Sequence, residues 1–337
     1  MPDPGPLPAS PEPQAAAPDA PPAAAARAPS SALTAGHLLA RQRRVALSTV
    51  ALPALGLIAG LALMVAGKVP PAIFAIWAAM HVLTAIGISV GFHRLATHQS
   101  FKCGRWTKRT LLILGSIGAQ GPVVHWATNH RRHHHTCDRA GDPHSPHVDE
   151  AGESFDSRLA GWWHAHAAWL FRSSVANPVR YSLDLIKDSD VLFVNRHYGK
   201  WVLLGVLLPG LAAAAVTRTW PGFALGCLVG GVARIAVVQH LVWSINSLTH
   251  MFGARPYANA DLSSNLAWLA LPTAGESWHN NHHAFPYSAR LGLEWWQLDI
   301  GWWTLVALRT FGLAWEIKLP TAEGRSAKRR DIGTIAS

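Results

Sequence analysis

The chain has 337 residues, half of them apolar and only 14% charged, with a formal net charge of +10. Soluble domains carry roughly a quarter charged residues, so an ordinary soluble fold is a poor fit. The basic residues are dispersed and no reader motif appears, which argues against a nucleic-acid partner and reads the charge as topology and attraction to membrane lipids.

In chain order, residues 1–36 are rich in Pro and Ala and lack the apolar stretch of a signal peptide, so a disordered tail is expected there. A membrane domain follows over 37–318. Val45–Gly67 and Val69–Phe92 carry no charge over 23 and 24 positions. Two further apolar runs cover 201–218 and 222–248, the last interrupted only by Arg234. About 20 apolar residues cross a bilayer as a helix, so spans are expected near 45–67, 69–92, 201–218 and 222–248. Residues 319–337 read as a basic C-terminal tail. Of the 29 Lys and Arg residues, four precede the first span, fourteen lie in 93–200 and eight follow 248. Positive segments stay cytoplasmic, which places both termini and the long middle segment inside. The pairs Trp162-Trp163, Trp295-Trp296 and Trp302-Trp303 read as amphipathic helices along the inner leaflet. Cys103, Cys137 and Cys227 are isolated and fit a reducing compartment, with neither a disulfide framework nor a zinc finger.

Three histidine groups stand out: His93-Arg-Leu-Ala-Thr-His98, His130-Arg-Arg-His133-His134 and His279-Asn-Asn-His282-His283. Imidazole is a good ligand for iron, zinc, copper and nickel. Positions i, i+3 and i+4 of an α-helix share a face, so each HxxHH is expected to converge on one point. Five steps of 100° overshoot a turn, so the HxxxxH pair suits a helix end. His250 lies four residues after Asn246 at the end of the fourth run. In the charge-based topology all these positions reach the same cytoplasmic face. Nine imidazoles exceed the set that one ion takes, so two ions are implied. Iron follows from ligand type and from oxygen chemistry on an apolar substrate. Rival readings are a di-iron membrane hydroxylase or alkane monooxygenase, a metal transporter with ligands strung along a span, and a bis-histidine haem protein.

The motifs Gly91-Phe-His-Arg-Leu-Ala-Thr-His98, His130-Arg-Arg-His-His134, Gly141-Asp-Pro-His144, Asn246-Ser-Leu-Thr-His250 and Trp278-His-Asn-Asn-His-His283 resemble those of integral-membrane fatty acid desaturases of the stearoyl-CoA (delta-9) class. The likeness runs from about Val69 to Trp303. It implies an all-α membrane protein, with four transmembrane helices and a cytoplasmic helical cap holding a His-rich dimetal site. It further implies two iron ions held by His93, His98, His130, His133, His134, His250, His279, His282 and His283, with a metal-bound water on Asn246. Gln120 and Trp126 fall where the family shapes the bent substrate tunnel, and Val242 replaces a tunnel threonine. Asp142 and His144 are expected to hydrogen-bond a ligand imidazole. The implied reaction is O2-dependent delta-9 cis desaturation of a saturated acyl chain carried on coenzyme A or a lipid. No electron-carrying domain is visible in the chain, so a separate ferredoxin-like or cytochrome-like donor with its reductase is expected.

Other positions carry weaker expectations. Arg234 reads as a structural pair or a site partner, and His81 as a donor to a backbone carbonyl. His135 breaks its motif's ligand face and is expected in a supporting position or at the surface. His37, His147, His164, His166 and His197 are expected at interface or surface. Arg131, Arg132 and Arg139 read as solvated charge, with an acyl carrier's phosphates as the alternative.

Overall fold

The computed structural model describes residues 30–33 and 35–330. Among the described residues, four helices are long and apolar enough to cross a membrane: Gly36–Val65, Pro71–Thr97, Tyr198–Thr217 and Trp220–His250. The first is α1 (Gly36–Val65), which starts well before the expected 45 and carries Arg41, Arg43 and Arg44 in its opening turns. Long basic side chains can sit there by reaching for the headgroups. Leu52, Leu55 and Ile58, three apart on one face, are 63%, 62% and 65% exposed. An apolar stripe left uncovered along a spanning helix is what lipid contact requires.

The second span is α2 (Pro71–Ile86), which runs on as a π-helix through Gly87–Thr97. It packs on α3 (Arg105–Ser116), and a Cβ on Gly87 or Gly91 would run into the backbone of Gly115 or Leu111. Only glycine permits that approach. After α3 come α4 (Val123–Thr136), α5 (Ser189–Arg196) and the third span, α6 (Tyr198–Thr217). The fourth span opens as α7 (Trp220–Leu225), widens into a π-helix (Gly226–Ala233), continues as α8 (Arg234–Ser247) and closes with a 3₁₀ turn through His250. It is the central helix: 56% of its apolar window is buried, against 17% for the first span.

Arg234 lies in that centre and is fully buried. Its guanidinium donates to Gly230 O (2.9 Å), Thr84 Oγ1 (2.5 Å), Ile117 O (3.0 Å) and Gly205 O (3.2 Å). The structural alternative for Arg234 is therefore the observed one. His81 bonds Pro272 O at 2.9 Å, the carbonyl partner expected of it.

The segments between the second and third spans and after the fourth form a cap over one end of the bundle. The cap includes α9 (His279–Ala284), α10 (Ile300–Thr310) and α11 (Ala322–Lys328). Two short antiparallel pairs tie it down, Ala32–Leu33 with Val175–Ala176 and Lys102–Cys103 with Ala314–Trp315. Residues 1–29 and 34 of the expected N-terminal tail, and 331–337 of the expected C-terminal tail, lie outside the described residues. The segment expected as a basic C-terminal tail holds α11, joined to the cap where Ala258 N donates to Lys328 O (2.8 Å) and Arg330 N to Pro256 O (2.9 Å). Trp295 is 91% exposed and Trp303 53% exposed, as headgroup contact requires. Trp295-Trp296 occupies a turn rather than a helix, because Asp299 organises this stretch, accepting from the backbone of Leu291, Gly292 and Trp302.

Candidate metal centre

Four stretches of chain deliver nine histidines to the junction of bundle and cap. The π-helix accounts for the first pair. Its hydrogen bonds close i to i+5, so residues five apart become neighbours; His98 N–H donates to His93 O at 3.1 Å. The expected helix end is present, but the widened turn is what brings both rings inward.

The histidines form two groups, one of His93, His98, His130, His134 and His282, the other of His133, His250, His279 and His283. Within each, the candidate ligand atoms all lie within 4.8 Å of one another. The expectation that each HxxHH converges on one point is overturned. At 100° per residue, i and i+4 differ by about 40°, whereas i+3 lies about 100° from i+4. On α4 the pair His130 and His134 joins the first group and His133 turns to the second. On α9 the assignment is reversed: His279 and His283 join the second group and His282 the first.

In the first group Nε2 atoms approach in a chain, His93 to His282 at 3.1 Å, His282 to His134 at 2.8 Å, His134 to His130 at 3.0 Å and His130 to His98 at 3.1 Å. In the second, His279 and His250 Nε2 stand 3.0 Å apart. Ligand nitrogens about 2.1 Å from an ion and at right angles to each other are about 3.0 Å apart. His279 Nδ1 and His282 Nδ1 have no hydrogen-bond partner among the described residues, so their rings are aimed by their Nε2 atoms. Burial and then neighbouring imidazoles hold His130, His134, His279, His282 and His283 well below their ordinary pKa. They are neutral at physiological pH, the form that binds metal. The donor set fits two metal ions.

Carboxylates hydrogen-bond three of the rings through Nδ1, those of His133, His250 and His283, and a fourth carboxylate contacts His93. Glu276 reaches His93 at 2.5 Å, Asp142 reaches His133 at 2.9 Å, Asp138 reaches His250 at 2.9 Å and Asp261 reaches His283 at 3.0 Å. Burial alone would raise Asp142, but His133 and the His144 backbone N–H outweigh it and hold the carboxyl at about 2. Glu276 also meets Arg94 (3.2 Å), whose other arm binds Asp299 at 2.8 Å. Losing such a partner typically costs 10–100-fold in metal affinity or activity. Glu276→Gln keeps the shape and removes the charge, so a loss in that range is expected in metal titration of the purified protein. Unchanged affinity would show that His93 needs no anionic partner.

A series of cavities leaves this centre. The first is walled by His81, Trp126, His130, Val242, Asn246 and His279, and the second by Gln120, Trp126, His130, Val242 and Asn246. A third shares Gln120, His125, Trp169 and Trp243 with the second and reaches Leu38, Arg41 and Val45 of α1. Trp126, Val242 and Asn246 wall both of the first two cavities beside His130, and Gln120 walls the second.

A fatty acid desaturase family model matches residues 69–314. The chain belongs to the fatty acid desaturase family. It is 42% identical over 82% of its length to hex-5-enoyl-[acyl-carrier protein] acetylenase of Moorena producens, covering 87% of that protein. It is 38% identical to the sn-1 stearoyl-lipid 9-desaturase of Anabaena variabilis, over 69% of this chain and 79% of the relative. The Synechocystis enzyme of the same name is also 38% identical, over 72% and 70%. The protein is an oxidoreductase, a fatty acyl desaturase.

Several residues of this desaturase differ from their sequence expectations. The transporter pattern is absent from the nine, which gather at one end of the bundle rather than along a span. His164 and His166 are buried, not superficial, because the segment carrying them packs on the fourth span. His147 bonds the carbonyl of His250 at 2.7 Å. Arg132 is buried, held by Gly141 O, Ser174 and Glu150, and Arg131 is locked to Asp184 at 2.5 Å. The His144 ring lies tilted against His133 at 4.4 Å, and its backbone N–H donates to Asp142 at 3.0 Å, so it supports the ligand ring indirectly. His135 is exposed. Asp138, Asp261, Glu276 and Arg94 went unread in the sequence. The available signal was the position of Glu276, three residues before His279, in a chain with only 19 acidic residues.

Proposed function

We propose that this desaturase uses a pair of iron ions to introduce a cis double bond at the delta-9 position of a saturated fatty acyl chain. The observation that carries the reading is the spacing of imidazole nitrogens, 2.8 to 3.1 Å between Nε2 atoms that share a group. His93, His98, His130, His134 and His282 would hold one ion, and His133, His250, His279 and His283 the other. Asn246, beside both groups in the cavity wall, would hold a water on the metal. When bound, the iron pair would supply the O2-derived oxidant that an unactivated C–H bond requires.

The chain's own residues position the substrate. Gln120, Trp126 and Val242 would shape the path for the acyl chain, and proximity to the histidine groups would select the carbon that reacts. The apolar walls exclude water from the oxidising site. Balanced, the change is –CH2–CH2– + O2 + 2e⁻ + 2H⁺ → –CH=CH– + 2H2O, with both electrons from a separate carrier protein and its reductase. The acyl group would be carried on a lipid or on coenzyme A, with the stearoyl-lipid relatives favouring the lipid. The distribution of Lys and Arg supports a cytoplasmic location for both termini and the cap.

A second reading rests on the 42% identical acetylenase: the same oxidation applied to an alkene would yield an alkyne. Expression in a host lacking unsaturated fatty acids, with mass spectrometry of the acyl chains, tests both. A delta-9 cis alkene supports the first reading and an alkyne the second. An alcohol without new unsaturation would identify a hydroxylase.

A further inference from the structure

The basic residues of the cap differ in how they are paired. Those of α3 have two carboxylates for three charges: Arg105 and Arg109 meet Asp190 at 2.9 and 2.7 Å, and Lys108 meets Asp188 at 2.6 Å. The C-terminal set has fewer among the described residues. Glu294 alone serves both Arg325 (3.0 Å) and Arg329 (3.4 Å), and Arg329 is 54% exposed. Lys328 is exposed as well, and the backbone of Arg330 is pinned beside Arg255 through Pro256.

This surface also has two short routes to one histidine. Lys328 Nζ donates to Ala284 O at 2.7 Å, and Ala284 is bonded covalently to His283. Arg255 donates to Asp261 O, and the carboxylate of Asp261 accepts from His283 Nδ1 at 3.0 Å. A third connection runs from Arg325 to Tyr257 OH (3.3 Å) and from Tyr257 N–H to Asn280 Oδ1 (2.8 Å), next to His279.

We propose that Arg255, Arg325, Lys328, Arg329 and Arg330 form the docking surface for an acidic one-electron carrier protein, which passes electrons through Ala284 and Asp261 to the group containing His283. This rests on the desaturase reading above, whose balance requires two such deliveries per double bond. Positive potential on one partner and negative on the other steers encounter and raises the association rate. Electron transfer then depends on a short bonded path, and both routes end on His283 itself. An anionic lipid headgroup would be attracted by the same charges, and exposed Trp295 adjoins Glu294, but a headgroup has no use for a path to a metal ligand.

The test uses the full-length enzyme in nanodiscs of zwitterionic lipid, with an acidic [2Fe–2S] ferredoxin and its reductase as the probe. The double variant Arg329→Glu/Arg330→Glu is expected to raise the apparent KM for the ferredoxin by about tenfold or more at low salt. Its iron content should match wild type, as should its single turnover after stoichiometric reduction by dithionite. The wild-type advantage should shrink as salt rises. Unchanged ferredoxin KM overturns the proposal. So does an equal loss in the dithionite single turnover, which indicates a structural role, or a loss that follows added anionic lipid rather than ferredoxin concentration. Wild-type enzyme that forms no product under either reductant would instead overturn the desaturase reading.

Discussion

His134→Ala will leave the folded protein with about one iron per chain in place of two, and with no measurable desaturation. His134 Nε2 stands 2.8 Å from His282 and 3.0 Å from His130, in the middle of the first group's chain of nitrogens. The second group contains no atom of it. His133→Ala is the mirror case, removing a member of the second group while sparing the first. Both should abolish turnover, since one ion cannot do the work proposed for two. His135→Ala, at an exposed position of the same helix, is the control and should retain both ions and activity. Iron analysis of purified protein beside product analysis decides the matter. Full iron and full turnover in His134→Ala would remove the five-histidine group from the mechanism.

The second large effect lies away from the chemistry. Arg234→Met should destabilise the bundle by about 2–6 kcal/mol, because two buried carbonyls each lose their donor. The guanidinium reaches the second span at Thr84, the end of α3 at Ile117 and the third span at Gly205. Methionine would fill much of the volume but donate no hydrogen bond. The Ile117 and Gly205 carbonyls would lose a donor at a depth where water cannot replace it, and each such loss costs about 1–3 kcal/mol. Thermal unfolding in detergent should show a markedly lower midpoint with iron content preserved in the surviving folded fraction. A midpoint equal to wild type would mean that the four contacts contribute nothing net.

The spans were legible because hydropathy is a property of contiguous residues; each expected run lies mostly within an observed helix. The histidine set was legible for a related reason: its spacing is local, and its number exceeds what packing explains. The division between groups was not legible. It depends on how α4 and α9 are rotated against each other, which a motif read on one helix does not contain. The π-helix at Gly87–Thr97 was hidden because the hydropathy of its residues does not distinguish a widened turn from an ordinary α-helix. The orienting carboxylates were hidden by distance along the chain: Asp138 meets His250 across 112 residues, and Arg94 meets Asp299 across 205. Asp142 was found because it stands nine residues from His133.

The crossed contribution of α4 and α9 has a consequence for how the enzyme matures. Each helix feeds both groups, so an ion captured by one group fixes the azimuth and spacing of the very segments that build the other. An ion in one group should therefore strengthen the other group's hold on its own, while a chain that lacks a ligand of one group still keeps the ion of the intact group. The rigid rise of two short helices would act as a ruler between the two histidine groups, setting a separation that a bound ion would not choose for itself.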